Sequence, residues 1–308
     1  MKISLCMGTY NGEKYIIEQL DCIRNQTRQP DEVIICDDNS KDNTVKLIEE
    51  YIGKYQLQNQ WKLYRNKENK GYPANFYYAC SLCTGDIVFL ADQDDIWDIT
   101  KIEKMCKALE AQPEAAAICC KYGLVDAGGQ DIHTLMAPTR NTGTGALKPI
   151  TIEEIFYKNQ WSGMAVAYRR KWYADWSTGD YDIPHDILIC ARAAEEHRFY
   201  QMDEELAYHR RHDNNAAREE HRIAKLLNKS RKLKEIEEYL RFLNAFAARQ
   251  VLQTEEGREE LHRKLSSMQD RYDALKSGKI IRVLQNAWKN KSSVRMVTVV
   301  CDVLIVKK

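Results

Sequence analysis

Hydrophobic and polar positions along the first hundred residues follow two alternating rhythms. KISLCMG at 2–8 alternates with a period of two and breaks at Tyr10-Asn11-Gly12; Ile16, Ile17, Leu20 and Ile23 then recur at helical spacing. DEVIICDDNS at 31–40 is a short β-branched run that ends in acids, and Val45, Leu47, Ile48 and Tyr51 predict a helix after it. WKLYRN at 61–66 predicts a third strand, the loop KENKGYPANF leads into a helix over 74–83, and GDIVFLA at 85–91 reads as a fully buried strand. A helix over 100–110 follows. Strands alternating with helices of this length predict an α/β fold, with a mostly parallel sheet covered by helices on both faces. In such sheets ligands bind beyond the carboxyl ends of the strands. Both acidic clusters, Asp37-Asp38 and Asp92-Gln93-Asp94-Asp95, directly follow a strand.

Past residue 217 only the helical rhythm persists. Ile223, Leu226, Leu233, Ile236, Leu240 and Leu243 recur at helical spacing, and Leu261, Leu265, Met268, Tyr272 and Leu275 do so again after a Glu-Glu-Gly break. Two amphipathic helices are expected, packed on each other or on the preceding domain. Charge divides the chain at the same place. The 46 basic and 45 acidic residues nearly cancel overall, yet residues 218–308 hold 21 Lys/Arg against 12 Asp/Glu, which leaves residues 1–217 at −8. The pattern therefore predicts an acidic body over 1–217 and a basic α-helical appendage over 218–308. Residues 276–308 carry eight Lys/Arg and one acid, with Ile280, Ile281, Val283, Leu284 and Trp288 interleaved. Such a segment suits an anionic membrane surface, and equally a solvated helix face or a homodimer contact.

No N-terminal stretch resembles a signal peptide, and no apolar run approaches the ~20 residues that span a bilayer. The longest, VTVVCDVLIV at 297–306, includes Asp302. The ten cysteines have no regular spacing and sit mostly in apolar runs, where they read as reduced core residues. Cys80-Ser-Leu-Cys83 lacks the second pair that a zinc site requires. A cytoplasmic protein is expected, with peripheral contact at the inner membrane face through the basic tail, and no nucleic-acid partner.

The aspartates admit two readings. Asp and Asn favour turns and helix N-caps, which would account for Asp98 ahead of the helix at 100–110 and for Asp42. Asp92 and Asp94 directly follow the most apolar strand. Like charges so close raise one another's pKa unless a cation offsets them, and Mg²⁺ binds through one or two carboxylates plus substrate phosphates. The usual phosphate grips, GxxxxGK[ST] and GxGxxG after the first strand, are absent.

Taken in order, SLCMGTYNGEKYI, VIICDDNSKDNT, NKGYPANF and FLADQDDIWD closely resemble the inverting family-2 glycosyltransferases of GT-A fold. The resemblance continues through WSGMAVAYRRKW at 161–172, IPHDILICARAA at 183–194 and ELAYHRRHDNN at 205–215, and it is strongest to bacterial rhamnosyltransferases of surface-polysaccharide assembly. It implies a divalent metal (Mn or Mg), a dTDP- or UDP-sugar donor, and a glycan or lipid-linked glycan acceptor. By the same resemblance Thr9 and Tyr10 lie at the nucleobase, Asp38 contacts the base, Asp92 accepts from the ribose, and Asp94 and His212 hold the metal. Arg210 and Lys70 are candidates for the diphosphate charge, and Asp186 for the general base. Two positions depart from the family: Ile187-Leu188-Ile189-Cys190, where aromatic residues are common, and Asp213, where glycine is common. A sugar nucleotidyltransferase would show a Gly-rich, Arg-containing loop after the first strand, and GTYNGEKY has none. A non-catalytic nucleotide- or glycan-binding module is the other alternative.

Overall fold

The computed structural model describes residues 1–132, 143–158, 161–177, 183–212, 228–290 and 296–307. They form two compact units, Met1–Thr151 with Gln160–Asp213, and Ile152–Asn159 with Asn214–Lys308. Of the residues singled out above, Asp213, Asn214, Asn215, Ile223 and Leu226 lie outside the described residues.

The first unit runs β1 (Ile3–Thr9), α1 (Ile16–Arg24), β2 (Glu32–Asp37), α2 (Thr44–Lys54), β3 (Trp61–Arg65), α3 (Tyr72–Leu82), β4 (Ile87–Ala91), β5 (Ile96–Trp97), α4 (Lys101–Ala111), β6 (Ala117–Val125) and β7 (Leu147–Pro149). The helix α5 (Ile152–Lys158) belongs to the second unit; β8 (Val166–Arg169), α6 (Arg170–Ala174), α7 (His185–Glu195) and β9 (Phe199–Arg210) then complete the first. Nine strands make one mixed sheet in the order β3-β2-β1-β4-β8-β6-β9-β5, with β7 on β9. β3, β2, β1 and β4 pair in parallel, as the alternation predicted. β8 enters antiparallel between β4 and β6, and β6 pairs in parallel with β9. All five residues of β4 are buried. Burying each apolar side chain of this kind contributes about 1.5–3 kcal/mol. α1 turns Ile16, Leu20 and Ile23 inward and α2 turns Val45, Ile48 and Tyr51 inward, the 3.6-residue stripe read in the sequence.

All ten cysteines are free thiols. Cys80 Sγ lies 3.7 Å from Cys6 Sγ in the core, so the CxxC spacing serves packing.

Lys101 is fully buried at the start of α4. Its Nζ donates to the Met164 carbonyl at 2.5 Å and lies 3.1 Å from the centre of the Trp97 ring. Burial lowers its pKa to about 7, against the opposing pull of Cys120, Asp95 and Asp92. The unfolded chain holds this proton up to about pH 10.4, the folded one only to about 7, so stability rises with pH across that window and carries the full burial cost below it. Lys101→Met is therefore expected to raise the melting temperature more at pH 6 than at pH 9, by an amount worth about 1–4 kcal/mol at the lower pH. Thermal melts at both values check this; an equal shift at both contradicts it.

The second unit adds α8 (Lys229–Ala248), α9 (Glu255–Ser277), α10 (Ile280–Lys289) and α11 (Met296–Lys307) to α5. α8 and α9 pack on each other through Ile236, Leu240, Ala274 and Leu275, and Val283 and Ile305 join the same cluster. The Glu-Glu-Gly triplet is not a break. It forms the first turn of α9, where Thr254 Oγ1 accepts from Gly257 N at 3.0 Å and the two glutamates complement the helix dipole. α5 falls within the stretch assigned to the catalytic domain, yet its Phe156 packs on Phe246 with ring centres 6.0 Å apart, and its carbonyl accepts from the Tyr239 hydroxyl. Helix α5 thus groups with the C-terminal helices.

Candidate active site

Three parallel strands end at one edge of the sheet. Thr9 is paired with Asp37 and Met7 with Ala91, so Tyr10, Asp38 and Asp92 leave the sheet side by side. Asn11 and Asn39 follow with positive φ of 48° and 64°, a conformation that asparagine tolerates. Thr9 is buried and gives its hydroxyl to Asp37 Oδ1 at 3.1 Å, while Tyr10 is exposed. The Tyr10 amide donates to Gln93 Oε1 (2.9 Å) and its carbonyl accepts from Gln93 Nε2 (3.0 Å), a reciprocal clasp between the two strand ends. Gly12 makes room for the clasp, because a Cβ there would meet Gln93 Oε1 at 2.2 Å. Gln93 is a residue that sequence reasoning passed over; it lies between two acids that drew the attention.

Asp38 is buried and works as a loop tie. Its Oδ1 accepts from Asn66 Nδ2 (2.9 Å) and Lys70 N (2.8 Å), and its Oδ2 from Gly71 N (2.9 Å). Lys70 thus meets Asp38 through its main chain, while its exposed side chain lies over the Tyr78 ring. Gly71, at φ 82°, adopts a backbone conformation that L side chains avoid, and Pro73 sits in the first turn of α3 just beyond it.

The DQDDIW stretch is fastened to the last strand of the sheet. Ile96 pairs with Tyr208 and Trp97 with Ala207, antiparallel; extended backwards, this register sets Asp94 across from Arg210. There the Arg210 Nε donates to the Asp94 carbonyl at 2.8 Å and His212 Nε2 lies 2.8 Å from Asp94 Oδ2. Residues more than a hundred positions apart meet because β5 is two residues of sheet. Asp95, for which the sequence offered no role, is buried and anchors the same junction: its Oδ1 faces His209 Nδ1 and accepts from Arg210 N, both at 3.1 Å. Burial depresses the His209 pKa, but the hydrogen bond and charge of Asp95, with Asp92 and Asp94 beyond, raise it overall.

Arg210, singled out for its place beside Arg211 and His212, is engaged within the protein. It is 1% exposed, and its guanidinium is occupied by the Asp94 carbonyl, the Ala127 carbonyl (3.2 Å) and Glu18 Oε2 (2.5 Å), over the Tyr15 ring. It holds the backbone of Asp94 in place.

Asp186 comes from a distant part of the chain to the same edge. It lies in the first turn of α7 after Pro184, one residue past the N-cap-adjacent His185, so capping does not explain it. Its Oδ1 accepts from Ile187 N (2.8 Å) and its Oδ2 from Gly163 N (3.1 Å). Gly163 approaches closely enough that a Cβ there would lie 3.3 Å from Asp186 Cβ. His185 is buried flat against Phe76 at 3.9 Å, and burial lowers its pKa to about 4, so it packs as a neutral ring. The Asp92 carboxyl is pushed well above its usual range, first by burial and then by Asp95, Asp94 and Asp186. Asp94 is raised too, by burial and Asp95, against the opposing pull of His212. Tyr72, also missed in the sequence, is raised by burial and by the charges of Asp186 and Asp92, so its phenol stands within electrostatic range of both.

These raised carboxyls mark a surplus of negative charge that a cation would relieve. Among the described residues no three His, Cys, Asp or Glu side chains converge on one point. Asp94 and His212 do supply an oxygen and a nitrogen side by side, a set that phosphate oxygens would complete around Mg²⁺ or Mn²⁺. The residues present fit such an ion bound together with a diphosphate.

Asp98 and Asp42 behave as turn residues. Asp98 Oδ1 accepts from Thr100 N at 2.8 Å just ahead of α4, and Asp42 Oδ1 from Thr44 N at 2.9 Å at the start of α2.

The family model described as "Glycosyl transferase family 2" matches residues 4–172. The chain is 36% identical over 97 residues to the poly(ribitol-phosphate) beta-N-acetylglucosaminyltransferase TarS of Staphylococcus aureus (strain Mu50 / ATCC 700699), which covers 31% of this chain and 16% of TarS. The crystal structure of S. aureus TarS 1–349 in complex with UDP-GlcNAc superposes with a TM-score of 0.58 at 17% identity, covering 100% of this chain and 91% of that one. The mannosyltransferase PcManGT of Pyrobaculum calidifontis, solved with GDP-Man and Mn²⁺, gives 0.57 at 15% identity, covering 99% and 85%. The chain spans 38% and 59% of the length of the first curated relatives it matches. The fold is of the GT-A type, as the motif order implied.

Proposed function

The chain belongs to glycosyl transferase family 2, and from that premise we propose that it transfers a sugar, rhamnose in the reading the motifs favour, from a nucleoside diphosphate to a hydroxyl of a growing, lipid-linked cell-surface glycan. The observation that carries the reading is the convergence of Asp186 with Asp92 and the Asp94–His212 pair at one strand edge. That arrangement supplies what a single displacement needs. The acceptor hydroxyl gives its proton to Asp186 as its oxygen bonds to the anomeric carbon, and the bond from that carbon to the donor phosphate breaks on the opposite side with inversion. Asp186 keeps free lone pairs for that proton, since each of its oxygens accepts a single amide hydrogen bond. Gly163 and the α7 backbone fix its direction.

On the leaving-group side, Asp94 and His212 would hold Mg²⁺ or Mn²⁺ together with the diphosphate. The ion would supply charge stabilisation of the departing nucleoside diphosphate. Asp92, which takes no hydrogen bond from a described residue, is open to a ribose hydroxyl. Thr9, Tyr10 and Asp38 form the wall for the base: Asp38 through its spare lone pairs, Tyr10 through an exposed ring, Thr9 by supporting Asp37. Lys70, tied to Asp38 through its amide, would lie beside this wall. Arg210 contributes by bracing Asp94.

The related structures were solved with UDP-GlcNAc for TarS and with GDP-Man and Mn²⁺ for the mannosyltransferase, which supports a nucleotide-sugar donor and a metal here. The test is release of nucleoside diphosphate from a panel of dTDP-, UDP- and GDP-sugars in the presence of Mn²⁺. Turnover is expected with one nucleotide class, dTDP-rhamnose foremost; no release from any donor contradicts the proposal.

A further inference from the structure

Helices α10 and α11 each carry a second apolar stripe besides the one they bury. An amphipathic helix in a folded protein turns its apolar stripe inward and its polar residues to water. α10 buries Val283 and Asn286, yet Ile281, Leu284 and Trp288, at i, i+3 and i+7 on one face, are 65%, 51% and 80% exposed. α11 packs against α10 and buries Ile305 in the same cluster, and it too leaves an apolar stripe outside. Its buried residues include Asp302, fixed by a two-pronged ion pair with Arg271 (2.8 and 2.9 Å), whereas Met296, Val300 and Leu304, at i, i+4 and i+8, are 76%, 51% and 44% exposed. Six large apolar side chains on two adjoining helices are left to water, more than isolated surface hydrophobics account for.

Within residues 276–308 the charge is one-sided, although Lys289 is paired with Asp270 of α9. Residues 276–308 hold eight Lys/Arg and a single acid, and that acid is already neutralised by Arg271. Lys279 and Arg282 flank the Ile281–Trp288 stripe and are exposed. A second copy of this face would bring one strongly basic surface against another. An anionic surface with an apolar layer beneath it satisfies both features at once. No helix among the described residues is long and apolar enough to cross a membrane, so the contact is one of lying on the surface.

We propose that α10 and α11 form an interfacial membrane anchor: Ile281, Leu284 and Trp288, with Met296, Val300 and Leu304, enter the headgroup–acyl boundary of an anionic bilayer, and Lys279 and Arg282 pair with lipid phosphates. The inference rests on these two helices alone and holds whatever sugar the first unit transfers.

The test is flotation of the full chain with vesicles of phosphatidylcholine mixed with phosphatidylglycerol, and with phosphatidylcholine alone. Binding is expected to the anionic vesicles only, and to weaken with added salt. The triple variant Ile281→Gln, Leu284→Gln, Trp288→Gln changes only exposed side chains, so its circular dichroism and melting temperature should match wild type while vesicle affinity falls by at least about tenfold. Lys279→Gln with Arg282→Gln should lower affinity and flatten the salt dependence. Absence of flotation, equal flotation of the triple variant, or a wild-type dimer that the triple variant converts to monomer would each overturn the proposal, the last by assigning the face to a second copy.

Discussion

Asp186→Asn is expected to lower turnover by about 10²- to 10⁴-fold, the range typical of losing a positioned general base, while donor binding and fold persist. Asparagine keeps the shape and one acceptor oxygen. One of the two amide hydrogen bonds, from Ile187 N or Gly163 N, would be lost, together with a favourable first-turn charge. Together these cost about 1–2 kcal/mol of stability, small beside the loss in rate. The signature is therefore a fall in kcat with an unchanged donor KM. Donor affinity by calorimetry separates the base role from a structural one, because a collapsed site would lose both. Retention of turnover within a few-fold of wild type would move the base elsewhere.

The second large effect is expected at Asp94. Substituting alanine removes the carboxylate beside His212 but leaves the main-chain carbonyl that Arg210 grips, so the junction of β5 and β9 should survive. Loss of metal-assisted stabilisation of the leaving group is worth several kcal/mol, that is, about a hundredfold or more in rate. Mn²⁺ binding, followed by calorimetry in the presence of nucleoside diphosphate, should weaken in parallel. Removing Asp94 also takes one charge from a crowded set, so the raised pKa of Asp92 should relax toward its usual range.

The first four strands, their helices and the placement of both acidic clusters were legible in the sequence because each rests on local periodicity. IVFLA, the apolar end of GDIVFLA, became β4 with every residue buried, and the acids left the sheet where the pattern ended. The outer half of the sheet was harder. β6 and β9 pair in parallel between positions such as Ala117 and Phe199, far apart in the chain, and β5 is a two-residue strand whose existence depends on β9. No local rhythm encodes such pairings. Arg210 shows the same limit at the level of one side chain. Beside Arg211 and His212 it reads as an anion ligand, but its partner Glu18 lies 192 residues away. Asp95 was opaque for the same reason, since His209 becomes its neighbour only through the sheet. In the helical unit the apolar stripes of α8 and α9 were read correctly, and the Glu-Glu-Gly triplet was misread because glycine suggested a break where Thr254 in fact caps a helix. Burial in α10 and α11 could not be foreseen, because a periodic stripe says which residues share a face and not which way that face turns.

The central claim is that Asp94 and Asp186 serve one metal-dependent displacement. It is tested most directly by nucleoside-diphosphate release from the selected donor, measured for wild type, Asp94→Ala and Asp186→Asn with Mn²⁺ and with a chelator. Wild type should turn over with Mn²⁺, stop with the chelator and recover when metal is restored, and both variants should lose at least about a hundredfold with Mn²⁺ present. Turnover by wild type that is indifferent to the chelator, and matched by Asp94→Ala, would contradict it.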